Sequence, residues 1–169
     1  IDVIRHLPRN YKLILFGPYF EDNYFKNGIG NKDYLIYLKN KITEFDLKSR
    51  IVLKTGIFDP IKFYKKIDIY LNPSMEEGFG TTFIEAVAFG LPVVANKEIQ
   101  SFRECSKYCF STVKLVSISN PKKFAKSIVR LNIKITKEAL KESRNNIIKN
   151  FSKNKIFSIY KRAYIELRK

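Results

Sequence analysis

Two carboxylates, Glu77 and Glu85, bracket a glycine-rich turn in the run Ser74-Met75-Glu76-Glu77-Gly78-Phe79-Gly80-Thr81-Thr82-Phe83-Ile84-Glu85-Ala86. Residues of these types in this order can build an anion site. Gly78 and Gly80 let a ligand approach the backbone. The first N–H groups of the helix that follows, from Gly80, Thr81 and Thr82, have no acceptor within it and point outward. A diphosphate suits such a cradle, and carboxylates beside it accept hydrogen bonds from sugar hydroxyls. The pattern points to a sugar nucleotide and leaves the reaction open. Each residue also has a purely structural reading. Thr82-x-x-Glu85 fits a capping box, in which Glu85 would bond a backbone N–H. Glu77 fits a solvated loop acid, and the two glycines fit a tight turn.

The flanking segments say what must hold this loop. Ile67-Asp68-Ile69-Tyr70-Leu71 before it and Pro92-Val93-Val94-Ala95 after it read as strands, with a helix from Thr82 to Phe89 between them. In an open parallel sheet ligands bind beyond the carboxyl ends of the strands, which is where the glycines and both acids fall. The alternation extends along the chain. Leu13-Ile14-Leu15-Phe16 and Ile51-Val52-Leu53 read as strands; Leu35, Leu38 and Ile42 fall on one helical face. Asp59-Pro60 opens a short helix, and Gly90 and Pro92 punctuate a helix end. Asn120-Pro121 starts another helix, with Phe124, Ile128 and Leu131 at helical spacing. Ile156, Ile159, Ala163 and Leu167 share a face of a last one. Strands separated by helices predict an α/β fold with a parallel sheet. We find no internal domain boundary in residues 1–169.

Composition narrows the classes. The 169 residues suffice for one full core, and no apolar run approaches a membrane-spanning length. Cys105 and Cys109, four apart with no histidine nearby, fit neither a disulfide framework nor a zinc site and suit reduced thiols in a cytoplasmic protein. His6 reads as a surface residue ending a helix. The net charge of +16 is uneven: Ile1 to Asn120 holds 17 basic and 13 acidic residues, Pro121 to Lys169 holds 15 and 3. Such a basic end can face an anionic membrane or a nucleic acid, or can be an ordinary solvated surface. Phe151, Phe157, Tyr160 and Tyr164 follow helical spacing, which favours core over a base-stacking platform and argues against nucleic acid.

The run Ser74-x-x-Glu77-Gly78-Phe79-Gly80-x-x-x-x-Glu85-Ala86-x-Ala88-x-Gly90-x-Pro92-Val93-Val94-Ala95 resembles the signature of retaining glycosyltransferases of the GT-B fold, family four, the glycosyl transferases group 1. Thr55 to Asp59, Tyr64 to Ile69, Ser101 to Glu104 and Asn120-Pro121 resemble further landmarks, so the likeness covers nearly the whole chain. The resemblance implies that residues 1–169 are one Rossmann-like domain, the donor-binding C-terminal half of a GT-B fold, with 151–169 as its closing helix. It also implies roles. Glu85 would hold the donor ribose, and Glu77 would act catalytically on the transferred sugar. Gly78, Phe79, Gly80, Thr81 and Thr82 would bind sugar and phosphates, and Ile57 and Phe58 would lie against the base. The donor would be a nucleotide-diphosphate sugar, with no metal and no other cofactor. Transfer would retain configuration by front-face departure and attack. The acceptor would be a glycan or a lipid-linked molecule, in polysaccharide or glycolipid synthesis, at the cytoplasmic face of a membrane.

Several features depart from the pattern. Only the second of two Rossmann-like halves is matched, and the chain starts at Ile1; we expect a fragment, inactive alone, whose own N-terminal domain carries most of the acceptor site. The Arg and Lys that bind the diphosphate upstream of Leu13 in the family have no counterpart. Lys97-Glu98-Ile99-Gln100 stands where many relatives have a glycine pair, and Phe89 fills a position that is usually small. Competing readings are a sugar-nucleotide 2-epimerase, which would not be expected to carry the Glu77-to-Glu85 spacing, and a non-catalytic binding module.

Overall fold

The computed structural model describes residues 1–17, 32–54 and 59–167. Compact units divide the chain between Phe63 and Tyr64. In the first, strands β1 (Leu13–Phe16) and β2 (Ile51–Lys54) pair in parallel, Leu13 opposite Ile51. Helix α1 (Lys32–Glu44) buries Leu35, Leu38 and Ile42, the three residues its periodicity singles out. It ends where Asp46 takes a left-handed φ of 50° and the Leu47 N–H bonds the Ile42 carbonyl. His6 is exposed and closes a 3-10 turn, Ile4–His6. The Asp59 carboxylate accepts from the Lys62 N–H and caps the short helix α2 (Pro60–Tyr64).

The second unit carries the parallel order β3 (Tyr70–Asn72), β4 (Val93–Asn96), β5 (Val113–Val116). Strand β4 is central and its four residues are all buried. Helix α3 (Thr81–Ala88) follows β3 and places Phe83, Ala86 and Val87 in the core. Helices α4 (Gln100–Ser106), α5 (Pro121–Lys134) and α6 (Lys137–Phe151) add Phe102, Phe124, Ile128, Leu131 and Ile147. Asn120 caps α5 by accepting from the Lys123 N–H at 2.9 Å. Cys105 and Cys109 are free, buried thiols, and burial pushes Cys109 up to about 12.

Two sequence expectations are corrected here. β3 does not begin at Ile67; it starts at Tyr70, opposite Val93. Its first ladder bond runs from the Tyr70 N–H to the Pro92 carbonyl at 2.9 Å. Pro92 has no N–H to return, and Leu91 is occupied in the end of α3, so the pairing cannot extend further back. That end is a Schellman motif: Gly90 takes φ 79°, Leu91 N–H bonds the Ala86 carbonyl, and Gly90 N–H bonds that of Val87. The second correction concerns α7 (Lys153–Glu166). Its apolar residues were expected to pack, but α7 buries none of its side chains; Phe157, Tyr160 and Tyr164 are each more than 60% exposed.

The loop from β3 turns into α3 at Gly80, which is buried and takes φ 74°. A Cβ there would stand 2.5 Å from Cε1 of Phe102, whose ring stacks on Phe83 at 5.0 Å and is fully buried. Gly80→Ala therefore combines left-handed backbone strain with overpacking against a ring that cannot give way. We expect a loss of about 2 kcal/mol or more in urea unfolding. A change below the error of that measurement would contradict this packing.

Candidate functional site

Residues 73–80 leave the carboxyl end of β3 and lead into α3, so Glu77 and Glu85 belong to one loop–helix unit held against the same strand. The two acids are supported differently. Glu77 is exposed, and its Oε1 accepts from Ser74 Oγ at 3.0 Å and from Asn72 Nδ2 at 3.5 Å. Glu85 is half-buried, and its Oε2 accepts from the Tyr64 hydroxyl at 3.0 Å.

A pair of buried asparagines fixes the loop beneath Glu77. Asn72 and Asn96 close β3 and β4 and are 4% and 2% exposed. Each accepts a hydrogen bond from the backbone N–H two residues on, Ser74 for Asn72 at 3.2 Å and Glu98 for Asn96 at 3.1 Å. This is the Asx-turn that turns a strand end into a loop. Asn96 Nδ2 also donates to the Ser74 carbonyl at 3.0 Å, tying the two loops together. Arg103 clamps the second loop from outside, donating to the carbonyls of Lys97 and Glu98 at 2.9 and 3.1 Å.

The start of α3 carries no side-chain cap. Gly80 is the N-cap of α3, no side chain caps it, and its carbonyl accepts from Phe83 and Ile84. Thr81 and Thr82 occupy the first turn, where N–H groups have no acceptor within the helix. The capping-box alternative is overturned: Thr82 lies inside the helix, and Glu85 turns to Tyr64. The Tyr64 phenol is raised well above its ordinary range, first by burial and then by the charges of Tyr70 and Glu85. Burial also raises Tyr70, against a hydrogen bond from Thr82 that lowers it.

Beside Glu77 lies a cavity of about 660 Å³, bordered among others by Gly78, Phe79, Glu98, Tyr108 and Phe151. Phe79 is half-exposed, and its ring stands 5.9 Å from that of Phe151, which meets Tyr108 edge-on at 5.4 Å. The lining combines aromatic faces with carboxylates that accept hydrogen bonds. Among the described residues no group of three or more His, Cys, Asp or Glu side chains could hold a metal ion.

The model of the family described as glycosyl transferases group 1 matches residues 1–154. The chain belongs to that family. The capsular polysaccharide biosynthesis glycosyltransferase CapM of Staphylococcus aureus is 33% identical over 85 residues, 50% of this chain and 19% of the relative. The lipopolysaccharide core biosynthesis mannosyltransferase LpsB of Rhizobium meliloti is 38% identical over 71 residues, 36% of this chain and 20% of the relative. In fold, the chain is similar to HepE of Anabaena, solved with UDP and glucose: TM-score 0.78, 21% identity, 99% of this chain and 43% of that one. It is also similar to a glycosyltransferase of Rickettsia africae, with TM-score 0.70, 21% identity, 96% of this chain and 49% of the other. The chain thus spans less than half the length of these relatives. Its fold is that of GT-B glycosyltransferases, parallel sheets flanked by helices.

Within this group 1 glycosyltransferase chain, the structure brings Glu77, Gly78, Phe79, Gly80, Thr81, Thr82 and Glu85 onto one segment. Ile57 and Phe58, expected against the base, lie outside the described residues. Phe89 places its ring 5.0 Å from that of Tyr64, so its bulk fills space beside the Glu85 partner. Tyr64, Asn72 and Asn96 escaped the sequence reading. The signal that could have found the asparagines is their shared place, a polar residue directly after an apolar strand.

Asn96 has both ends of its amide satisfied in a buried place. Replacing it by Ala strands the Ser74 carbonyl and the Glu98 N–H, and should cost about 1–3 kcal/mol. Amide exchange at Ser74 to Gly78 should accelerate more than at β5. Uniform acceleration, or none, would contradict the tie between the two loops.

Proposed function

We propose that this chain is the donor-binding, C-terminal half of a two-domain glycosyltransferase. The enzyme would move a sugar from a nucleotide-diphosphate sugar to a glycan or lipid-linked acceptor, with retention of configuration. The observation that carries the reading is the β3–α3 unit, which presents an uncapped helix N-terminus between an exposed and a half-buried carboxylate. UDP as the donor nucleotide is supported by HepE, solved with UDP and glucose. Polysaccharide synthesis is supported by what CapM and LpsB are named for.

The chemistry follows from the positions. As the bond from the sugar to the diphosphate breaks, negative charge grows on the leaving group. The N–H groups of Thr81 and Thr82, at the positive end of α3, face that charge, with backbone from Gly78, Phe79 and Gly80 completing the cradle. Such preorganised donors need no metal ion. Glu85 accepts the hydroxyls of the ribose. Glu77, free on its exposed side, accepts from hydroxyls of the transferred sugar and orients it for departure and front-face attack. The cavity between Glu77 and Phe151 takes part of that sugar or of the acceptor. The N-terminal half supplies the remaining acceptor contacts, and the isolated 169-residue chain transfers nothing.

This division of labour is testable by calorimetry with UDP and by turnover of the two-domain enzyme. Glu85→Ala should weaken UDP binding by about 1.5–3 kcal/mol, the worth of a charged acceptor. Glu77→Gln should lower turnover far more than affinity, and transfer should survive EDTA. Equal affinity losses in both variants, or abolition by EDTA, would contradict it.

The basic end supports a cytoplasmic enzyme in peripheral contact with an anionic membrane. No helix among the described residues is long and apolar enough to cross one. Helix α7 leaves Lys153, Lys155, Lys161 and Arg162 exposed beside Phe157, Tyr160 and Tyr164. Each basic residue near such a surface adds about 1 kcal/mol, within a Debye length. Co-sedimentation with vesicles should require anionic lipid and fade as salt rises. Binding indifferent to lipid charge, or none at low salt, would contradict this contact.

A further inference from the structure

Tyr64 is 2% exposed, yet its hydroxyl reaches the edge of the candidate site. The ring is fixed on two sides, by Phe89 at 5.0 Å and by Tyr70 at 5.9 Å in an edge-on contact. Its hydroxyl donates to Glu85 Oε2 at 3.0 Å and lies 3.3 Å from the Thr82 carbonyl. The nearer is a carboxylate, the stronger acceptor. Burial keeps the phenol protonated at any physiological pH, so it stays a donor. Among the described residues it is the one side chain with a hydrogen bond to Glu85.

A glutamate's terminal torsion is broad, so a lone carboxylate rotates among many orientations. A donor held by a packed ring removes that freedom at one oxygen. Oε2 keeps a lone pair, and Oε1 remains for a ligand. A vicinal diol needs both oxygens in one plane, because its two hydroxyls donate to two acceptors at once. A single hydroxyl needs only one of them.

We propose that Tyr64 is a positioning residue that sets the rotation of the Glu85 carboxylate, and thereby the preference of this site for a ribose diol over a 2′-deoxyribose. The inference rests on the donor-site reading above and adds to it the residue that determines sugar discrimination on the nucleotide side. Tyr64 itself touches no ligand. It acts through Glu85, by holding two acceptor oxygens where two hydroxyls arrive together.

The test compares UDP and 2′-deoxy-UDP binding to the chain and to its Tyr64→Phe variant, by calorimetry at one pH and salt. The variant keeps the packed ring and removes the donor. The ratio of the two affinities should fall by about fivefold, the worth of one net hydrogen bond, with most of the loss on UDP. A merely destabilising change weakens both nucleotides alike and leaves the ratio where it was. In a Glu85→Ala background, Tyr64→Phe should leave the ratio unchanged, because the side chain it positions is gone. An unchanged ratio in Tyr64→Phe alone, with UDP still preferred, overturns this inference and leaves the donor-site reading standing. No UDP binding by the unaltered chain, or no preference for UDP over its deoxy form, overturns the reading of Glu85 itself.

Discussion

The approach of Gly80 to the ring of Phe102 is the constraint on which the site depends. With no Cβ, the backbone at Gly80 comes within what would be a 2.5 Å contact for any other residue, and it does so at a φ of 74°. That turn starts α3 directly over the core and leaves no room for a capping side chain. The first-turn N–H groups of Thr81 and Thr82 have no acceptor within the helix. Phe102 can hold the position because it is stacked on Phe83, itself part of α3. The helix and the ring that sets its entry are thus parts of one buried cluster.

Two carboxylates in one segment are made unequal by their supports. Glu77 rides on a loop anchored through its backbone and through Asn72, Ser74 and Asn96, and its outer side remains open to solvent. Glu85 projects from a helix onto a buried phenol. The first arrangement suits contact with a group that changes during the reaction. The second suits a group that is bound and released unchanged. The contrast arises from the ends of β3 and β4 and from the residue where α2 ends, and it is the ground on which we propose the sugar for Glu77 and the ribose for Glu85.

Much of this was legible in the sequence. The buried triads Leu35-Leu38-Ile42 and Phe124-Ile128-Leu131 stand out by periodicity, and Asn120-Pro121 announces a helix start that the structure keeps. The loop and both acids are placed correctly from the strand, glycine and helix pattern alone. Helix α6 was not seen because its core side includes Ser143, which is buried and donates to the Cys109 carbonyl at 2.7 Å; a polar residue stands where a stripe would show an apolar one. Strand β5 escaped because it is only four residues long, with exposed Lys114 within it. Helix α7 misled in the other direction: its apolar spacing predicts a burial that none of its side chains reaches. The Tyr64–Glu85 and Asn96–Ser74 contacts join residues about twenty apart in sequence, and no local pattern signals which distant group will satisfy a buried polar atom.

The central claim is that the start of α3 and the loop before it form the donor nucleotide site. Backbone amide shifts of the isotopically labelled chain, followed by nuclear magnetic resonance as UDP is added, test it most directly. The account predicts that the largest changes fall on Gly80, Thr81, Thr82 and Glu85, with smaller ones on Gly78 and Phe79 and little at β5. Saturable changes centred elsewhere, such as on α7, or no saturable change at any UDP concentration, would contradict it.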